Sequence, residues 1–191
     1  QGASIFIIAD RIELYPEEFY EKGLTVITST IRQKGLDQVT PGVKSLNYLA
    51  NILARAEATA AGAQEAILLN ATGHVSECSG DNIFFVKDGK IFTPPTSAGI
   101  LVGVTRNVVM ELCEKKLGVK VIERNFPRYD LYSADEVFLT GTGAEVIAAV
   151  KIDGRIIGKG ACGQTTKNLI KHFRDYANST GTPVYETVKA K

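Results

Sequence analysis

The sequence predicts an α+β fold in which a barrel-like mixed sheet is flanked by helices. Many short β-rich runs are separated by turn residues, and two pairs of them are joined across Asp88-Gly89 and Asp153-Gly154, the dipeptide most typical of a tight hairpin. About three longer helical patterns interrupt these runs without alternating regularly with them. A doubly wound parallel sheet requires that alternation, so the sequence argues against one.

The first half of the chain begins with an apolar run that predicts a buried strand, followed by a short helix, a second strand and a polar loop. The helix has acids in its first turn and lysine in its last, as the helix dipole favours. A long amphipathic helix is expected next, from about Ser45 to Ala61, with Leu46, Leu49, Ala50 and Leu53 on its apolar face. The predicted elements are strand 4–9, helix 16–22, strand 24–31, helix 45–61, strand 64–70 and strand 75–77.

The second half contains both predicted hairpins and two further helices. Gly118 ends the first of these helices, and the chain after Asn178 reads as a loose polar tail. The predicted elements are strands 82–87 and 90–93, helix 104–117, strand 119–123, helical turn 129–134, strands 136–140, 145–152 and 155–157, and helix 163–177.

Composition excludes several classes of function. The 191 residues suffice for one domain with a substantial core, and a net charge of +1 argues against a nucleic-acid surface. The apolar runs are too short to span a membrane, and the sequence leads us to expect no signal peptide. Three widely spaced cysteines and two histidines favour a reducing, cytoplasmic compartment and no metal site.

Lys44 is the candidate nucleophile. It follows Pro41-Gly42 at the expected start of the long helix, where the helix dipole disfavours a cation, so the position has little structural value. A lysine amine forms an exchangeable imine with an aldehyde, which no other side chain does as well. A solvated surface lysine remains compatible with this pattern taken alone.

Three further motifs carry candidate polar groups. Glu77 ends a short strand, and it is either a functional acid or a solvated one. Gly103-Val104-Thr105-Arg106 opens a helix, where free N–H groups and a hydroxyl attract anions, although threonine there also serves as a simple cap. Gly141-Thr142-Gly143 follows a strand and reads either as a turn or as part of a site.

Taken in order, these motifs resemble the fold-type IV aminotransferases that use pyridoxal phosphate (PLP), and most of all the branched-chain amino acid aminotransferases. The resemblance runs from about Gly23 to Phe173. It implies the large domain of the D-amino acid aminotransferase-like fold, with Lys44 as the Schiff base lysine of PLP. The further cofactor and substrate residues that it implies are Tyr48 on the phenolic oxygen, Glu77 on the pyridine nitrogen, Leu101 on the ring face, Val104, Thr105 and Thr142 on the phosphate, and Thr142 with Gly143 on the substrate carboxylate.

Three positions depart from the family pattern. Cys78 replaces a usual glycine, Gly143 replaces a frequent alanine, and the spacing from Lys44 to Tyr48 is one residue shorter than in many branched-chain enzymes. The glycine should loosen its loop slightly.

The resemblance also implies domain organisation and partners. Residues 1–22 are an interdomain segment with a first strand, 23–178 the PLP-binding C-terminal domain and 179–191 a tail; the smaller N-terminal domain is expected to be absent. The expected activity is transamination of amino acids, with branched-chain donors and 2-oxoglutarate as acceptor, in a homodimer or larger homo-oligomer. The alternatives are an aminodeoxychorismate lyase, a D-amino acid aminotransferase, or an inactive fragment lacking half of its site.

Overall fold

The computed structural model describes residues 2, 4–10, 14–35 and 39–183, and its centre is a mixed sheet that curls into a half-barrel with flanking helices. The described strands are β1 (Leu24–Arg32), β2 (Glu65–Leu69), β3 (Val75–Cys78), β4 (Asn82–Lys87), β5 (Lys90–Thr93), β6 (Ile122–Glu123), β7 (Glu136–Gly141), β8 (Glu145–Ile152) and β9 (Arg155–Ile156). The described helices are α1 (Glu17–Lys22), α2 (Leu49–Ala60), α3 (Val104–Leu117), α4 (Arg128–Tyr132) and α5 (Gln164–Ser179). These elements confirm the predicted α+β class.

The strand order is β3-β2-β1-β8-β7-β4-β5-β6, with β9 paired to β8. β1 runs parallel to both β2 and β8, and β5 runs parallel to β6, whereas the other pairs are antiparallel. Consecutive strands β3 and β4 therefore lie far apart along the sheet. The curl brings them together again, and the Cys78 N–H donates to the Asp81 carbonyl at 2.7 Å.

Both predicted hairpins are present. β4 pairs with β5 and β8 pairs with β9, and in each turn both the aspartate and the glycine have positive φ. Two successive positive φ angles define the turn type whose twist matches that of the strands.

Three apolar layers hold the fold together. Phe85, Phe126 and their neighbours fill the concave side of the sheet. Phe84 and Phe138 stack at 5.0 Å between their ring centroids under α3 and α5, which cover the convex side. α2 packs on β1 and β2 through small side chains, chiefly Ala54 and Ala58.

The long helix differs from its prediction in both start and orientation. It begins at Leu49 rather than near Ser45, because Leu46 adopts a positive φ of 64° that no helix can continue. Its buried face carries Asn51, Ala54 and Ala58, whereas Leu46, Leu49 and Leu53 are exposed and Ala50 is only partly buried. The predicted apolar face was therefore wrong: the sheet accepts the small side chains and leaves the large ones outside.

Two other predicted elements are corrected. Residues 4–9 form no strand, and Ile5, Phe6, Ile7 and Ile8 are more than 80% exposed, because no described strand pairs with them. The strand expected over 119–123 is limited to Ile122–Glu123, where it meets β5. α5 reaches Ser179, so the first residues of the predicted tail are helical, and 184–191 lie outside the described residues. No helix in the described part of the chain has the length and apolar content needed to cross a bilayer.

Candidate active site

Two adjoining cavities collect the predicted site residues at the edge of the half-barrel. The inner one is small, about 60 Å³, and lies between the loop before α2 and the end of β3. The outer one, about 470 Å³, lies beside the start of α3 and the β7–β8 turn. Lys44, Gly80 and Leu101 line both. Tyr48 and Glu77 line the inner cavity, and Val104, Thr105, Thr142 and Gly143 line the outer one.

The amine side of the site is an irregular loop, residues 39–48, which we call the amine loop. Lys44 lies five residues before α2, so the dipole argument for its position does not apply. Tyr48 is the residue that precedes the helix, and its hydroxyl lies 3.2 Å from the Lys44 amine. Lys34 reaches this loop from the end of β1, donates to the Asn47 carbonyl and places its amine 5.9 Å from the centre of the Tyr48 ring.

The opposite side is built on the sheet around Glu77, which is 8% exposed on β3. Gln33 Nε2 donates to its Oε1 at 2.7 Å, and the Leu101 N–H donates to its Oε2 at 2.9 Å. Asn82 Nδ2 lies 3.3 Å from the same Oε2 and 2.9 Å from the Leu101 carbonyl. We call Glu77 with these three donors the acid wall.

Burial dominates the electrostatics of this wall. Loss of solvent raises the pKa of Glu77 to about 8, and the hydrogen bonds from Leu101 and Gln33 offset only part of that rise. The free site therefore holds Glu77 largely protonated at neutral pH. A cation placed beside it would favour the carboxylate instead.

The start of α3 offers an anion site on the outer cavity. No described side chain caps this helix, and its first turn carries no acid, so the helix dipole there favours an anion. The residues of this helix start line the outer cavity. Thr105 is buried in that first turn. Gly103 is required there because a Cβ would collide with Asn82 Oδ1.

The β7–β8 turn closes the outer cavity over a second buried acid. Asp81 lies against Gly141, where a Cβ would collide with its Oδ1, and it accepts a 3.4 Å hydrogen bond from Tyr15. Burial, together with the nearby Glu65 carboxylate, raises the pKa of Asp81 to about 7. Arg55 bonds Glu65 at 2.6 Å and holds that carboxylate in place.

Sequence reasoning missed Gln33, Asn82 and Asp81 as parts of this site. Gln33 is 44 residues from Glu77 in the chain and lay in a segment predicted as a loop, so no local pattern marks it. Asn82 and Asp81 stand in the same short motif as Glu77. That proximity was the available signal.

A family model for class IV amino-transferases matches residues 1–152. The chain belongs to the class IV aminotransferases.

Other members of the family are similar in sequence and in structure. A putative branched-chain-amino-acid aminotransferase of Methanocaldococcus jannaschii is 45% identical over 166 residues, 87% of this chain and 57% of that protein. The branched-chain-amino-acid aminotransferase of Escherichia coli K12 is 39% identical over 157 residues, 82% of this chain and 50% of that protein. The PLP form of the Thermobaculum terrenum branched-chain amino acid aminotransferase superposes with a TM-score of 0.81 at 36% identity, over 83% of this chain and 52% of that one.

This class IV aminotransferase chain thus spans about half the length of the curated relatives it matches. The described residues include Lys44, Glu77, Tyr48 and the start of α3, which the sequence analysis singled out. A large apolar rim, including Leu14, Val43, Leu46 and Val102, is exposed around the two cavities.

Proposed function

We propose that this chain binds PLP and supplies the lysine and acid of an amino acid aminotransferase. The observation that carries the proposal is that Lys44, from the amine loop, and Glu77, from β3, line the same cavity although they are 33 positions apart in the sequence. A primary amine and a buried acid in one cavity suit an aromatic aldehyde with a basic ring nitrogen.

The residues present are of the kinds that PLP needs, and they line two adjoining cavities, which supports the proposal. Lys44 would hold the aldehyde carbon, Tyr48 the phenolic oxygen and Glu77 the ring nitrogen, with Leu101 against the ring. The α3 start with Val104 and Thr105, together with Thr142, would hold the phosphate, since a helix start without a cap or an acid suits an anion. When bound, PLP supplies an electron sink for the bond that breaks at the amino acid Cα.

Each side chain then has a defined task. Lys44 Nζ would be the base that takes the proton from the amino acid Cα and returns it to the exocyclic carbon of the cofactor. The Tyr48 hydroxyl, 3.2 Å from that amine, orients it. Glu77 would give its proton to the ring nitrogen, and the positive charge there would lower the pKa of Glu77 and favour its carboxylate.

The decisive test is reduction with borohydride after addition of PLP. We expect a stable adduct whose peptide map places the cofactor on Lys44, not on Lys34, which lines the same inner cavity. Lys44→Ala should lose the adduct, whereas Lys87→Ala, on a surface salt bridge with Asp135, should keep it. An adduct that survives in Lys44→Ala at the wild-type level would refute the proposal.

Branched-chain amino acids are the proposed donors and 2-oxoglutarate the proposed acceptor. Relatives at 39–45% identity carry the branched-chain name, which supports this choice. Bleaching of the bound-cofactor absorbance by leucine, isoleucine and valine, but not by D-alanine, is the expected pattern. Release of pyruvate from aminodeoxychorismate instead would point to the lyase activity.

We further infer that residues 23–178 form the cofactor-binding unit and that the complete enzyme is a cytoplasmic homo-oligomer with a second domain over the exposed apolar rim. The half-length match to the relatives supports the second domain. Light scattering of the chain, alone and joined to the remaining half of a relative, tests the assembly. A full rate of turnover by this chain alone would contradict the need for that domain.

A further inference from the structure

In the described part of the chain, the hydrogen bonds to Glu77 come from neutral donors. Its Oε2 receives the Leu101 N–H and the Asn82 amide, both from segments beside the outer cavity. Its Oε1 receives Gln33 Nε2 at 2.7 Å, the shortest of the three bonds. Gln33 thus supplies the contact on the side of Glu77 that faces the end of β1.

The orientation of the Gln33 amide is fixed by its own surroundings. Gln33 is 5% exposed, its backbone N–H donates to the Leu69 carbonyl at 3.0 Å, and its side-chain Oε1 accepts the Lys34 N–H at 3.1 Å. Because the oxygen is engaged by Lys34, the amide nitrogen is the end left to face Glu77.

The charges around Glu77 make a neutral donor valuable. Lys34 acts on it as a cation and Asp81 as an anion, while Lys44 and Tyr48 face the same cavity. A hydrogen bond from an amide stabilises the carboxylate without neutralising it. When a cation enters the cavity and Glu77 ionises, the carboxylate then keeps its full negative charge.

We propose that Gln33 is a positioning residue that acts through Glu77, aiming the carboxylate into the inner cavity and favouring its charged form for the ring nitrogen of PLP. The identity of the ligand as PLP rests on the function proposed above, whereas the effect of Gln33 on Glu77 does not depend on it.

The first experiment uses the chain without cofactor. Side-chain carboxyl ¹³C shifts of Glu77, assigned through Glu77→Gln, give its titration midpoint. Gln33→Met removes the donor at similar length and should raise the midpoint by about one pH unit. Gln33→Glu places a second carboxyl beside Glu77. The higher of the two titration midpoints should then rise further, since a like charge opposes ionisation.

Gln64→Met is the matched control. Gln64 Oε1 accepts the Thr25 N–H at 2.9 Å near the start of β1, away from both cavities. This variant should leave the midpoint of Glu77 unchanged. If Gln33→Met and Gln33→Glu remain folded by near-ultraviolet circular dichroism and titrate as the wild type does, the proposal is wrong, whether or not PLP binds.

The second experiment compares PLP with an analogue in which CH replaces the ring nitrogen. The wild-type chain should bind PLP more tightly than the analogue, and Gln33→Met should reduce that ratio about tenfold, because only PLP places a cation against Glu77. A ratio unchanged from wild type, with the Lys44 adduct intact, would refute the role of Gln33 while leaving the proposed function standing. Absence of the adduct in wild type would refute the proposed function. The cofactor-free titration would then still test whether Gln33 favours the charged form of Glu77.

Discussion

The two sides of the site are built in different ways. The acid wall is attached to the sheet: Glu77 and Gln33 are buried, and their hydrogen bonds join β1, β3 and the segment before α3. The amine loop is irregular, and Lys44 is exposed on it with the Tyr48 hydroxyl as its described hydrogen-bond partner. The comparison shows that the hydrogen-bond donors around Glu77 are preformed on the sheet, whereas the Lys44 amine is carried by an exposed, irregular segment.

Replacing one group on each side should expose this difference most strongly. Glu77→Gln removes the only charge of the acid wall and should weaken PLP binding by about 30-fold, the range for hydrogen bonds to charged groups. Tyr48→Phe removes one hydroxyl from the more exposed amine side and should weaken it by about threefold. Absorbance titration with PLP measures both, and equal losses would remove the distinction.

Alanine substitutions at two glycines should show that the acid wall is more tightly packed than the amine loop. A Cβ at Gly103 collides with Asn82 Oδ1, so Gly103→Ala should cost about 1–3 kcal/mol of unfolding free energy, as overpacking does. Gly42, in the amine loop, has Thr40 Oγ1 at 3.6 Å as the nearest atom to such a Cβ, and Gly42→Ala should stay within about 0.5 kcal/mol of wild type. Urea denaturation of the two variants provides the comparison, and a costly Gly42→Ala would show that the amine loop is as constrained as the acid wall.

The acid side should also make the stability of the cofactor-free chain depend on pH. Folding raises the pKa of Glu77 from 4.5 to about 8 and that of Asp81 from 3.8 to about 7, so the folded chain binds more protons than the unfolded chain between these values. The contribution is complete below pH 4 and is lost as pH rises toward 8. Thermal unfolding between pH 5 and 8 should therefore show a melting temperature that falls by several degrees, with a shallower slope in Glu77→Gln; a slope unchanged in that variant would place the effect elsewhere.

The smallest effect is expected at the outer face of α2. Leu49, on the face predicted from hydrophobic spacing, is 66% exposed, so Leu49→Ala should change the unfolding free energy of this chain by no more than about 0.5 kcal/mol. Ala54, on the opposite face, is fully buried against the sheet, and Ala54→Leu should cost about 1–3 kcal/mol. Denaturation of the two variants tests which face packs, and the reverse order would restore the face predicted from hydrophobic spacing.

The sequence predicted the elements whose signals are local. Both Asp-Gly hairpins and the bounds of α3 follow from turn chemistry and from a glycine stop, and the structure has them where expected. The motifs around Lys44, Glu77 and Thr105 were recognisable because each is contiguous in the chain, and the structure brings them to adjoining cavities.

The errors arose where tertiary packing decides. Hydrophobic spacing assigned the wrong face to α2 because the sheet surface beneath it accepts alanine rather than leucine. The run at residues 4–9 reads as a buried strand, yet apolar composition alone cannot supply the partner that a strand requires. Gln33 carried no signal, since its role depends on a contact between distant parts of the chain.

The bend between β3 and β4 has a consequence for how such a site changes over evolution. Here a tight turn, bridged by the bond from the Cys78 N–H to the Asp81 carbonyl, leads from the edge strand β3 to β4 directly after Glu77. Substitutions that tune the acidity of this carboxylate act beside the turn that connects β3 to β4, so we expect them to alter folding as well as chemistry. The amine loop and the apolar rim lie outside this turn. Substitutions there can therefore change substrate preference with little effect on the stability of the fold.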